Sequence, residues 1–313
     1  GFGTFEGPIL GAGYYHRNLF GQLWDFSGGL ELSAIGALGE ARVTEPRFLG
    51  EDISFTGRVY ALTRLFDGYD RHEFGGGVEA AWERDDYKAR LYFNNAFVAT
   101  EADGIPKPLL GPQDYLVHRL GFEQTLDKRD SAVLPTDGYL LRLKNELGLT
   151  SGSDSVSFLR TEGQASYFEP VTEKGRVALN AKTGVVMPAS GGNALPIDLR
   201  YFAGGASSIR GFPDRELGPL ANGYPIGGEA FWVTNFEYLH KLTSLLEGVV
   251  FIDAGNVNFN FEDFGSGRTN YAVGAGIRLD LPIGPVRLEY GHNLNPGPSD
   301  PSGAFHFAIG ASF

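Results

Sequence analysis

Alternation of apolar and polar residues with period two runs through almost the whole chain, and it limits the possible folds more than any other feature. Successive side chains of a strand point to opposite faces, whereas a helix would scatter the same apolar sets around its axis. In the final stretch Phe305, Phe307, Ile309, Ala311 and Phe313 share one face, and His306, Ala308, Gly310 and Ser312 share the other. Tyr271, Val273, Ala275, Ile277 and Leu279 alternate in the same way with Gly274, Gly276, Arg278 and Asp280. Between clusters of Gly, Pro, Asn and Asp, the pattern predicts strands near 8–17, 22–34, 39–46, 52–66, 71–84, 86–97, 115–126, 137–149, 155–168, 174–187, 197–203, 229–240, 246–257, 268–280, 284–293 and 303–313. That is about sixteen strands, or about twenty residues per strand and connection, a spacing that suits strands of roughly ten residues tilted across a bilayer.

A soluble sandwich also alternates, so the decision rests on what the second face carries. Glu229, Asn235 and Glu237, then Asp253 and Gly255, then Arg278, Arg287 and Glu289 fall opposite the apolar sets. A wet, polar interior inside an apolar exterior belongs to a membrane barrel, whereas a sandwich encloses a dry core. Trp24, Tyr60, Phe66, Tyr139, Tyr238 and Tyr290, near predicted strand ends, are candidates for interfacial girdles. Connections alternate between tight links, such as 281–284, and long Gly- and Pro-rich ones at 100–114 and 204–228. A length of 313 residues would allow two domains, but this pattern favours one all-β structure, a transmembrane antiparallel barrel of about sixteen strands over 1–313. No apolar run is long enough for a spanning helix. The net charge of −12 opposes attraction to nucleic acid, and zero cysteine excludes disulfides, thiolate metal sites and cysteine catalysis.

The longest loop reads Tyr201-Phe202-Ala203-Gly204-Gly205-Ala206-Ser207-Ser208-Ile209-Arg210-Gly211-Phe212. It is followed by Phe251-Ile252-Asp253-Ala254-Gly255-Asn256-Val257, and by 282–291 ahead of a strand ending on Phe313. Arg17-Asn18-Leu19-Phe20-Gly21, Glu45-Pro46-Arg47-Phe48, and Asp127-Lys128-Arg129-Asp130 leading to Pro135-Thr136-Asp137-Gly138-Tyr139 complete the set. Together these resemble the BamA-type superfamily of outer-membrane barrels over essentially the whole chain. Its sixth-loop core is Val-Arg-Gly-Phe/Tyr, with Ile209 here in the Val position, and its strand motif is Phe-x-Asp-x-Gly-x-Val. The match at 17–21 and 204–228 looks most similar to the assembly branch that includes BamA and TamA.

Arg210 sits between Gly-rich flanks, and its planar fork of donors suits carboxylates held in place for it. The following strands offer Glu237 and Asp253 on the lumen face. The resemblance implies a sixth loop folded back into the barrel, with Ile209, Arg210, Gly211 and Phe212 as its lock, Glu237 and Asp253 as acidic partners, and Phe251 and Gly255 as the strand motif. It also implies a Gram-negative outer-membrane location, a weak closure between first and last strands, and a C-terminal assembly signal ending on Phe313. Gly7, Gly11 and Gly310 are the residues expected to weaken that closure, because glycine adds no cross-strand packing. The implied partners are the bilayer, unfolded β-barrel clients or a secreted passenger, and periplasmic accessory proteins reached through upstream POTRA modules, of which 1–313 shows no pattern.

Other classes leave weaker traces. The six histidines, at 16, 72, 118, 240, 292 and 306, lack the zinc-protease spacing, and no Gly-x-Ser-x-Gly elbow occurs. Neither a catalytic constellation nor a metal or cofactor site is expected, and His306 reads as a solitary polar lumen residue. Two rivals remain open: a secretion transporter of the same superfamily, two-partner or with a fused passenger, and a passive porin whose inward loop narrows a water-filled pore.

Overall fold

The computed structural model describes residues 1–50, 52–152, 154–189, 195–281 and 284–309. Among these, seventeen strands form one antiparallel sheet that closes on itself. In chain order they are β1 Phe2–Gly3, β2 Gly7–Pro8, β3 Leu10–Leu19, β4 Trp24–Ser33, β5 Gly36–Glu45, β6 Ile53–Phe66, β7 Tyr69–Arg84, β8 Tyr87–Ala102, β9 Asp114–Asp127, β10 Gly138–Gly152, β11 Ser157–Pro170 and β12 Gly175–Pro188. A small hairpin, β13 Leu220–Ala221 with β14 Tyr224–Pro225, stands apart in the long loop. The wall resumes with β15 Ala230–Lys241, β16 Leu246–Asn258, β17 Asn270–Leu281, β18 Gly284–Asn293 and β19 Gly303–Ile309. Because β2 and β3 are parted only by Ile9, they trace one line of the wall.

The strands form because their apolar residues recur every second position and have lipid to face. Phe74, Leu91, Leu147, Val250, Ile252, Ile277 and Phe305 lie exposed on the outside, while Glu73, Glu146, Asn235, Glu247, Asp253, Glu289 and His306 are buried inside. Such an inside-out distribution is unstable in water and natural in a bilayer. At one rim the connections include tight turns such as 85–86 and 171–174, and at the other Asp67-Gly68 closes a hairpin, with Gly68 at a φ of +91°. The 189–229 connection is the sixth at that second rim, and its segment 195–217 folds into the lumen. Because β12 pairs directly with β15, the described part of the loop adds no strand to the wall.

Three expectations need correction. Residues 197–203 are not a strand: Pro196 leads into a 3-10 turn at Ile197–Leu199, closed by the Arg200 amide donating to the Ile197 carbonyl. Ile197, Leu199 and Tyr201 alternate because all three bury inside the lumen, which imitates the period of a strand. The closure, in turn, uses a strand that the alternation did not reveal. Phe2 pairs with Ile309 and Gly3 with Ala308, while Gly7 faces Gly3 and Gly11 faces Glu31 of β4, so the residues that pair with β19 are Phe2 and Gly3 rather than Gly7 and Gly11. Gly310 and Phe313 lie outside the described residues. Finally, Tyr60 does not join a lipid-facing girdle, because its hydroxyl donates to buried Glu73 in the lumen; Phe66 turns inward as well, against Arg215 of the loop.

Candidate functional site

The sixth loop carries Arg210 into the lumen, where its side chain is 2% exposed. Its Nε donates to Asp253 Oδ2 at 2.9 Å and its Nη2 to Asp253 Oδ1 at 2.6 Å, the two-pronged geometry that a guanidinium makes with a carboxylate. Nη1 reaches Glu237 at 2.5 Å and Glu289 at 3.0 Å. The Arg210 backbone amide adds a bond to Asp253 Oδ2 at 3.0 Å. Beneath the guanidinium lies the Phe251 ring, 3.4 Å from centroid to Cζ, so the cation is held by charge on its edges and by a π face below. Asp253 alternates with Phe251 on the lumen face of β16, which is why one strand supplies both.

The four motif residues of the loop divide the work. Ile209 and Phe212 are buried in an apolar cluster with Ala203, Leu217, Val233 and Val257. A Cβ on Gly255 would stand 2.9 Å from Ile209 Cδ1 and 2.4 Å from the Trp232 carbonyl, so the strand motif needs glycine to admit the loop tip. At Gly211, Cα approaches the wall so closely that a Cβ would lie 2.9 Å from that of Ala272. The structure therefore brings together Ile209, Arg210, Gly211, Phe212, Glu237, Asp253, Phe251 and Gly255. Gly7 and Gly11 remain apart from them, near the closure.

Other members of the cluster escape the motifs. Glu289 on β18 completes the carboxylate set, and Arg278 on β17 ties Glu237 to Glu289 at 2.9 and 2.7 Å. Asn235 donates to Asp253 at 2.8 Å and to the Ser208 carbonyl at 2.6 Å. His306, far from solitary, donates from Nε2 to the Arg210 carbonyl at 3.0 Å. All four share the lumen parity of their strands, the one signal in the sequence that could have found them. The cluster thus joins the loop to every strand from β15 to β19, the last of which makes the closure.

Lower in the lumen a cavity of about 600 Å³ opens under Arg210, lined in part by Arg176, Lys182 and Glu247. Among the described residues no group of acidic and histidine side chains has the arrangement of a metal site. What the cluster can do chemically is hold: it offers fixed opposite charges and no nucleophile paired with a base.

Residues 18–313 match the Omp85 superfamily domain. Over its full length the chain is 27% identical to the outer membrane protein assembly factor BamA of Nitratidesulfovibrio vulgaris, covering 41% of that protein. It is 28% identical to the human sorting and assembly machinery component 50 homolog over 52% of the chain and 38% of the relative. The chain thus spans about two fifths of the length of these curated relatives. Among solved structures, BamA from Haemophilus ducreyi lacking POTRA domains 1–3 superposes with a TM-score of 0.85 at 19% identity, over 98% of this chain and 68% of that one. CdiB from Acinetobacter baumannii superposes with a TM-score of 0.62 at 13% identity, over 98% and 57%.

Proposed function

The chain belongs to the Omp85 superfamily, and from that premise we propose that residues 1–313 act as one barrel domain that assembles client β-barrels into the outer membrane. Members of this superfamily are assembly and transport factors rather than enzymes, and the barrel resides in the Gram-negative outer membrane. The observation that carries the assembly reading is the placement of Arg210: its cluster fastens the loop to β15–β19, the strands that lead to the closure. A porin loop has only to narrow a pore and needs no such link. The full-length identity with an assembly factor favours this branch over a secretion transporter, for which the likeness is one of fold.

Strand physics supplies the mechanism. Above the pairs Phe2–Ile309 and Gly3–Ala308, the Thr4 amide donates to the Phe307 carbonyl, and on the side away from β18 residues 303–306 of β19 pair with no strand among the described residues. An unpaired edge is a template, and a client strand that adds to it keeps its backbone groups bonded while entering lipid. The wall beside the closure is also short. β18 has 10 residues against 16 in β7 and β8. At about 3.3 Å per residue and a tilt near 45°, 10 residues reach about 23 Å and just cover an apolar band of about 25 Å, whereas β7 and β8 rise well beyond it, so the wall is low beside the closure. Clients and the bilayer are the partners in this reading; periplasmic accessory proteins would engage segments upstream of the barrel.

The test is client insertion by the full-length protein in proteoliposomes. Arg210→Ala is expected to leave a folded barrel that inserts client slowly. Insertion at the wild-type rate would refute the role of the loop.

A further inference from the structure

The sixth loop grips the wall at a second place, away from Arg210. Its base, 195–201, packs Leu195, Leu199 and Tyr201 against Tyr115, Phe158 and Val186. At the centre of its 3-10 turn Asp198 is buried, its side chain 1% exposed. The Tyr115 hydroxyl of β9 donates to Asp198 Oδ1, and the Arg71 guanidinium of β7 lies 3.6 Å from Oδ2, which has no hydrogen-bond partner. Arg71 in turn bonds Glu73. Nearby, Arg160 of β11 donates to the Leu199 carbonyl and stacks 4.9 Å from the Tyr201 ring. A loop base with only a packing duty would carry an apolar or neutral residue here, since burying a carboxylate is costly unless a cation and a donor await it.

The polar partners of Asp198 come from β7 and β9, whereas those of Arg210 come from β15 to β19; the apolar cluster around the base also takes in Val186 of β12 and Phe231 of β15. In strand order β7 and β16 lie nearly half the circumference apart. Residues 202–209 run between the two attachments. We propose that Asp198 is a positioning residue, a second anchor that ties the sixth loop to the β7–β11 wall through Tyr115 and Arg71 while Arg210 ties it to the wall that carries the closure. The loop is then a strut across the lumen. Any outward swing of β15–β19 must carry Arg210 away from a base that stays behind, or release one of the anchors. This goes beyond the assembly reading, and its readout is loop position, which does not depend on that reading.

The chain has no cysteine, so spin labels can be placed at Leu91→Cys on the outer face of β8 and at Ser207→Cys on the loop without background. Pulsed electron-paramagnetic-resonance distances in proteoliposomes are expected to give one narrow population in the parent protein. Asp198→Leu is expected to raise the displaced-loop population roughly tenfold, the equilibrium equivalent of one hydrogen bond to a charged group. Asp198→Asn keeps an acceptor for Tyr115 and drops the charge facing Arg71, so it should fall between. Tyr115→Phe retains the ring and its packing, and is expected to displace the loop in a barrel that still runs as the folded form on an unheated gel. Parent-like distances in Asp198→Asn and Tyr115→Phe would overturn the proposal, even where Asp198→Leu fails to fold. Displacement in these two variants, with the barrel folded, would support it.

Discussion

Replacing Arg210 by alanine probes the cluster most sharply, because the structure says what remains. Four side-chain bonds disappear, two to Asp253 and one each to Glu237 and Glu289. Glu237 and Glu289 keep Arg278, whereas Asp253, 0% exposed, keeps only Asn235 and the backbone amide of residue 210. The loss is therefore chiefly that of a buried carboxylate left without its cation, about 3–5 kcal/mol. Barrels often unfold irreversibly, so a melting temperature is a poor measure. Local opening is better followed by hydrogen exchange at the Phe212 and Leu217 amides, which donate to the Ile209 and Ala203 carbonyls. When exchange reports the opening equilibrium, that energy corresponds to an acceleration of about two to nearly four orders of magnitude. Arg210→Lys keeps the charge but not the fork, and should fall well short of that. The pair Arg210→Met with Asp253→Leu removes charge from both sides and should recover much of the protection. Unchanged exchange in Arg210→Ala would refute the reasoning, and so would a double variant as fast as the single one.

Other expectations follow from single contacts. Gly255→Ala places a Cβ 2.4 Å from the Trp232 carbonyl and should loosen the loop by about 1–3 kcal/mol, read by the same exchange at Phe212. In the loop, burial raises the carboxyl pKa of Asp214; His306 opposes the shift and Glu6 adds to it. A raised folded-state pKa means that its stabilisation is complete below the unfolded value and is lost as pH rises through the folded one. Asp214→Asn should therefore slow loop exchange at pH 7 and make no difference below about pH 4. In the turn at 128–137, bonds donated by the Thr136 hydroxyl and amide hold Asp130 down at about 2. That contribution is present above the unfolded carboxylate range and is lost as pH falls toward 2, so the Thr136 amide should stay protected at pH 4 and exchange freely near pH 2.

The barrel was legible because lipid outside and water inside impose opposite demands on alternate residues, and β17 and β18 record them along their whole length. Arg210, Asp253 and Glu237 were legible from a motif and the two strands that follow it. Glu289 and His306 were not, because they meet Arg210 from 79 and 96 residues away and only closure of the sheet makes them neighbours. Asp198 was hidden by an alternation that mimics a strand. The closing strand was hidden for the reverse reason: Phe2–Gly3 is too short to show any period.

The central claim, client entry through the closure between β1 and β19, is tested most directly by tethering it. Gly3 and Ala308 are direct cross-strand partners, so Gly3→Cys with Ala308→Cys in the otherwise cysteine-free chain should form a disulfide. With the tether formed in the full-length protein, client insertion into proteoliposomes should stop, and reductant should restore it. Insertion at the untethered rate by fully crosslinked protein would contradict the account.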